Sequence, residues 1–144
     1  MADISKQLAR FIVDSHWHAI PKEIQHEAKR ALLNWLGCAL GGCRDTAVDT
    51  ALAALREFAG PPQATLIGRS ERLDILNAAL INAISSNALD FDDTHLHTVI
   101  HPTVPVASAL VALAEHTPVT GAQDRKSTRL NSSHIQKSRM PSSA

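Results

Sequence analysis

The stretch Pro21 to Gly42, PKEIQHEAKRALLNWLGCALGG, decides the fold class. Its apolar residues Ile24, Ala28, Ala31, Leu32, Trp35, Leu36, Ala39 and Leu40 recur at three- and four-residue steps, the spacing of one face of an amphipathic helix. Pro21 suits the first turn, where a missing N–H costs nothing, and Gly41-Gly42 marks the stop. Working outward, Asp3 reads as the cap of an earlier helix whose Ile4, Leu8, Phe11 and Ile12 share a face, ended by Ser15-His16-Trp17-His18. A third helix is predicted from Thr46 to Phe58, with Val48, Leu52 and Leu55 inward, until Gly60-Pro61-Pro62 breaks it.

Ala64-Thr65-Leu66-Ile67-Gly68 reads as a short extended piece, a lone strand or a loop. Glu71 to Leu89 returns to helical spacing, with Leu73, Leu76, Leu80, Ala83 and Ile84 inward. The last helix begins at Pro102 and carries Val106, Leu110, Leu113 and Ala114; Pro102 and Pro105 are tolerated only in its first turn. Thr117-Pro118 ends it, and Thr120-Gly121 reads as a turn. No two-residue alternation is long enough for a sheet and no repeat is present, so the fold class is all-α, with at most one short extended segment. Alanines at 31, 39, 51, 53, 54, 78 and 79 point to close helix packing. Large anchors are few (Trp17, Trp35 and three Phe), and the segment is expected to be the N-terminal portion of a larger multi-helix domain, too small in buried area to stand alone.

Residues 124–144 read differently. DRKSTRLNSSH at Asp124–His134 and SRMPSSA at Ser138–Ala144 are the translations, in one frame, of the two constant blocks of a common sequencing adapter, and Ile135-Gln136-Lys137 falls where its variable index would sit. The expected organisation is therefore residues 1–123 as a truncated helical domain and 124–144 as a non-native, disordered tail. The tail holds five of the chain's 14 basic residues and one of its 14 acidic ones, leaving 9 against 13 and a formal net charge of −4 over residues 1–123. That balance argues against nucleic acid and anionic membranes as partners. No apolar run approaches the roughly 20 residues of a membrane span. The N-terminus has no unbroken apolar signal core, and a cytoplasmic location is expected. Cys38 and Cys43 are expected to be reduced, buried thiols, with a redox or metal pair as the alternative.

The chemistry concentrates in Asp90-Phe91-Asp92-Asp93-Thr94-His95-Leu96-His97 and the following His101-Pro102. Three carboxylates, the Thr94 hydroxyl and three imidazoles leave the end of an apolar helix together, on a loop between rigid elements where catalytic groups commonly sit. One reading is acid–base chemistry on a carboxylate substrate. His101, at the mouth of a helix whose dipole favours anions, would exchange protons; Asp90 would orient it, and Thr94 would donate to a substrate carboxylate or a leaving hydroxyl. A second reading is a metal site for zinc or manganese drawn from Asp92, Asp93, His95, His97 and His101, as in a metal-dependent hydrolase. A third, Asp90-x-Asp92-x-Thr94 as the D-x-D-x-T signature of haloacid dehalogenase-type phosphatases, requires a buried strand before it, and the spacing before Asp90 is helical. Against all three stands a non-catalytic helical interaction module, with Asp92, Asp93 and Thr94 as helix caps.

At Asn87-Ala88-Leu89-Asp90-Phe91-Asp92-Asp93-Thr94-His95, with His101-Pro102 and Ala112-Leu113-Ala114-Glu115, the chain resembles the MmgE/PrpD family. Leu32-Leu33-Asn34-Trp35-Leu36-Gly37-Cys38 is similar to the family's D-x-x-G-C segment, with Asn34 and Leu36 departing from it, and Ala64-Thr65-Leu66-Ile67-Gly68 is similar to its A-T-x-x-G segment. The resemblance covers essentially all of residues 1–123. It implies a helical, homodimeric enzyme that uses no cofactor and no metal and dehydrates, decarboxylates or epimerises a small di- or tricarboxylic acid. The implied type is a carbon–oxygen lyase of the 2-methylcitrate dehydratase kind. Catalytic roles fall by position on Asp90, Thr94 and His101, and substrate binding is assigned to Asp93, His95 and His97. The Thr94-to-His101 spacing is one residue longer than in the decarboxylase branch. Family enzymes are much longer, and their later part supplies a basic Lys and a lid, so this segment alone is expected to be inactive. Sequencing the locus from source DNA through codon 123 is expected to show the frame running on into different residues; a stop after an encoded 124–144 would overturn the assignment of the tail.

Overall fold

The computed structural model describes residues 3–117. The expected tail at 124–144, the end of the 1–123 segment and the predicted Thr120-Gly121 turn lie outside the described residues. Five α-helices are present among them: α1 (Ile4–Asp14), α2 (Lys22–Gly42), α3 (Thr46–Arg56), α4 (Ile75–Asn87) and α5 (Thr103–His116). A 3-10 turn at Trp17–Ala19 joins α1 to α2. Two short strands, β1 (Ala64–Thr65) and β2 (Arg72–Leu73), pair antiparallel, Ala64 opposite Leu73 and Thr65 opposite Arg72. The fold is all-α apart from this ribbon, as its apolar spacing requires. No helix of the described residues is long and apolar enough to cross a membrane.

Helix starts follow local chemistry. Asp3, Asp45 and Asp74 each accept backbone N–H groups of the first turn of the helix that follows, which would otherwise have no partner. Asp74 marks the largest departure from the periodic reading. Residues 71–74 are not helical: Arg72 and Leu73 pair with β1, and Asp74 Oδ1 receives the N–H groups of Leu76 and Asn77, each at 3.1 Å. Its Oδ2 receives Gly60 N–H, also at 3.1 Å, tying the loop after α3 to the start of α4. Leu73 is still buried, but from a strand. Arg69, in the turn between the strands, ties that turn back to α3 through Asp49 at 2.8 Å and to the Cys43 carbonyl at 2.7 Å.

The cores also differ from the leucine stripes. α4 buries Ala78, Ile81, Asn82, Ser85 and Ser86, while Leu76 and Leu80 face outward. α5 buries Thr103, Val104, Ala107, Ser108 and Ala112 and leaves Leu113 outside. Small side chains allow close approach, and the buried polar side chains of α4 and α5 have partners, which offsets the penalty of burying them. Asn82 receives Ile67 N–H at 2.9 Å and donates to Thr65 C=O at 3.0 Å. Ser85 Oγ–H donates to Ala39 C=O at 2.8 Å. Trp35 Nε1–H donates to Ser108 Oγ at 3.0 Å. One apolar cluster gathers Val48, Leu52, Leu66, Leu73 and Ile81; a second gathers Trp35, Val104 and Ala107. α1 has the predicted helix but buries none of its residues.

α2 ends at Gly42, so the Gly41-Gly42 pair marks its stop as expected. Gly42 is there for contact: a β-carbon on it would collide with the carbonyl oxygen of Ser85 on α4. Gly37, by contrast, has open space within 4 Å of where a β-carbon would stand. Urea unfolding is expected to show Gly42→Ala destabilised by about 1–3 kcal/mol, as for other overpacked contacts. Gly37→Ala should gain about 0.5–1 kcal/mol from helix propensity. Equal effects at the two glycines would refute the close approach of α2 and α4.

Candidate active site

α4 ends at Asn87 and α5 begins at Thr103, so both ends of the intervening loop are carried by packed helices. The chain leaves α4 through an Asp90 N–H bond to Asn87 C=O at 3.0 Å and takes a left-handed backbone at Asp90, φ 54°. Asn34 of α2 donates to Phe91 C=O at 3.1 Å and holds the loop from the side. Further on, His95 and Ile100 form an isolated antiparallel bridge, closed by a second left-handed residue, Val99 at φ 51°. Aspartate tolerates that region; valine, being β-branched, is strained there.

His101 sits at the centre. Its Nδ1 lies 3.0 Å from Asp92 Oδ2, and its Nε2 lies 3.5 Å from Asp90 Oδ1. The Asp92 side chain has 0% exposure, that of Asp90 82% and that of His101 27%. Asn87 Nδ2 reaches both Asp92 oxygens, at 3.3 and 3.2 Å. Thr94 Oγ1 stands 3.5 Å from His101 Nδ1 and 3.4 Å from Asp92 C=O. The loop therefore brings Asp90, Thr94 and His101 together, and adds Asp92 at shorter range than Asp90.

The three residues read as substrate-binding are placed differently. Asp93 Oδ1 receives Thr103 N–H at 3.2 Å and its Oδ2 receives Thr103 Oγ–H at 2.6 Å, so it occupies the helix mouth where an anion would bind. Burial pushes the Asp93 carboxyl above the ordinary aspartate range; its two bonds from Thr103 oppose that shift, and the Asp92 charge adds to it. His95 is buried, with Nδ1 2.7 Å from Thr98 Oγ1, and its ring lies 5.9 Å from that of exposed His97.

Among the described residues the grouping able to hold a metal is Asp90, Asp92 and His101, with ligand atoms within 4.8 Å of one another. Asp93, His95 and His97 are not part of it, so the five-residue ligand set read from spacing is not assembled. The phosphatase pattern fails on its context, because helix α4 and not a strand leads into Asp90. Cys38 and Cys43 are free and buried. Burial pushes the Cys38 thiol up, and the charges of Asp92 and Asp93 add to this, which disfavours the thiolate that redox or metal chemistry needs.

A cleft of about 250 Å³ opens beside the loop between α2 and Thr94. Arg30, Asn34, Phe91 and Asp93 line it, and Arg30 is paired with Glu27 at 3.0 Å. Neither Asp92 as the histidine's partner nor Arg30 and Asn34 as cleft residues followed from spacing. Asp92 was legible only as a cap or ligand, and the α2 residues lie some sixty positions upstream.

A helical layer that presents one imidazole, two carboxylates and a hydroxyl on a single loop is equipped to move protons. The MmgE/PrpD N-terminal domain matches residues 6–126, and the chain belongs to the MmgE/PrpD family. It is similar to the cis-aconitate decarboxylase-like protein oryM of Aspergillus oryzae, 25% identical over 78% of this chain and 23% of that protein. The cis-aconitate decarboxylase of Aspergillus terreus is 27% identical over 69% of this chain and 22% of its own length. That of Homo sapiens is 31% identical over 70% and 21%. The chain thus spans less than a quarter of these relatives.

The raised carboxyl of Asp93 has a pH signature. A carboxyl more easily protonated in the folded state contributes stability below its unfolded pKa, near 3.9, and that contribution is lost as pH rises through the folded value. Asp93→Asn removes the titration. Its stability relative to wild type is expected to improve as pH rises from about 4 through that window; a pH-independent difference in urea melts would refute the burial argument.

Proposed function

We propose that this chain forms one wall of the active site of a lyase that acts, without cofactor, on a small di- or tricarboxylic acid. The observation that carries the reading is the His101 imidazole, held between Asp92 and Asp90 with the Thr94 hydroxyl 3.5 Å away. It stands in a chain of the MmgE/PrpD family. In dehydration, His101 takes the proton alpha to a carboxylate. The electron pair of that C–H bond becomes the new C=C bond, and the hydroxyl on the adjacent carbon leaves as water with the proton returned by the His101 imidazolium. Thr94 anchors a substrate oxygen, and Asp90 stands by Nε2. His97, with His95 behind it, takes the outer carboxylate, and Asp93 contributes by capping α5.

Decarboxylation is the second reading, favoured by the names of the relatives. There the carboxylate leaves as CO2, and the electron pair of the broken carbon–carbon bond receives a proton from the same ring in its imidazolium form. The outward leucines of α2 (Leu33, Leu36, Leu40) and α4 (Leu76, Leu80) support a larger assembly, in which later residues or a second copy in a homodimer cover them.

The test is an assay of the polypeptide expressed from the complete reading frame, on hydroxylated and on unsaturated tricarboxylates. Turnover is expected without added metal, and His101→Gln should lower kcat by about 10²–10⁴. A loss below about tenfold would remove His101 from the chemistry.

A further inference from the structure

We propose that Asp92, held by Asn87, is the positioning residue of His101: it fixes the ring proton on Nδ1 and leaves Nε2 as the working nitrogen. This deepens the function proposed above and rests on it only for the kinetic arm of the test.

An ionised carboxylate accepts hydrogen bonds and donates none. With Asp92 Oδ2 3.0 Å from Nδ1, the proton of a neutral ring belongs on Nδ1, and the lone pair is left on Nε2. The Asp92 side chain has no exposed surface, so its oxygens depend on donors from the protein. Two are at hand: the Nδ1–H of His101, and the side-chain amide of Asn87, at 3.2 and 3.3 Å.

Asn87 is the last residue of α4, and His101 stands two residues before α5. The relay Asn87–Asp92–His101 thus transfers the packing of α4 on α5 to the orientation of the ring. Asp90 cannot do this work. Its side chain is 82% exposed and 3.5 Å from Nε2, on the face open to solvent. A solvated carboxylate on a flexible side chain at that distance does not fix a ring. The orienting role read from sequence for Asp90 therefore passes to Asp92, and Asp90 is left facing the reacting atoms. Thr94, with both of its contacts at 3.4–3.5 Å, is free to turn its hydroxyl to a substrate oxygen.

Nitrogen-15 NMR of the polypeptide expressed from the complete reading frame reads the tautomer directly, with the His101 signals identified by their loss in His101→Gln. At a pH where the ring is neutral, Nδ1 is expected to be protonated and Nε2 bare; an Nε2–H ring overturns the proposal. Asp92→Asn, whose amide can donate as well as accept, should abolish the single tautomer, and Asn87→Ala should weaken it without altering Asp92. An unchanged tautomer in Asp92→Asn also overturns it.

In the complete enzyme Asp92→Asn should lower kcat by about 10²–10⁴ with KM changed less than about threefold, the pattern of a misplaced proton and not of lost binding. An Nδ1–H ring in a protein that turns over no carboxylic acid would keep the positioning and remove the reaction. Turnover with an Nε2–H ring would do the reverse.

Discussion

Helix α4 packs against α2 and α5 at once, and the rest of the structure depends on how closely it does so. The approach is made with small and polar side chains. Gly42 lets the Ser85 carbonyl lie against α2, Ser85 Oγ bonds back to the Ala39 carbonyl, and Trp35 reaches across to Ser108 on α5. Leucines in those positions would hold the helices further apart. Hydrogen bonds that satisfy the buried groups are directional, so they set the relative rotation of the helices more narrowly than apolar contact does. The C-terminal end of α4 and the N-terminal end of α5 are thereby brought into a defined relation, and the Asp90–Pro102 loop spans the gap between them.

That loop carries more carboxylate than its burial would tolerate unaided. Asp92 is buried against an amide and an imidazole; Asp93 is half-buried against a helix N-terminus. Each has a distinct compensation, and this separates two adjacent aspartates that spacing alone cannot tell apart. Asp92 is tied to the imidazole and Asp93 to the backbone of α5. Asp90, two residues before Asp92, stays in solvent on a left-handed turn. Three carboxylates within four positions thus take three roles, because the backbone path gives each a different neighbour.

Much of this was legible in the sequence. The apolar period located all five helices, Asp3 as a cap, the extended piece at Ala64 and the loop in which the polar groups meet. It misjudged Glu71–Asp74 because Leu73 keeps the helical phase while its backbone pairs with β1. It also turned Leu76 and Leu80 inward, whereas both are exposed. Hydrophobicity ranks leucine above serine and asparagine, whereas the inner faces of α4 and α5 are chosen for size and for partners that lie far away in the chain. The resemblance carried by Asp90-Phe91-Asp92-Asp93-Thr94 and His101-Pro102 was borne out as family membership by the match over residues 6–126.

The sequence by itself determined the helical class, the position of the loop that gathers the polar groups and the family, since each is written in local spacing or in a short run of residue types. Only the tertiary structure decided which carboxylate meets which nitrogen of His101, that Asp93 caps α5, and that Arg30 and Asn34 of α2 line the neighbouring cleft. The physical reason is that a hydrogen bond depends on distances of a few tenths of an ångström and on direction. Those quantities are set by the packing of helices distant in sequence, and residue order along one loop does not contain them.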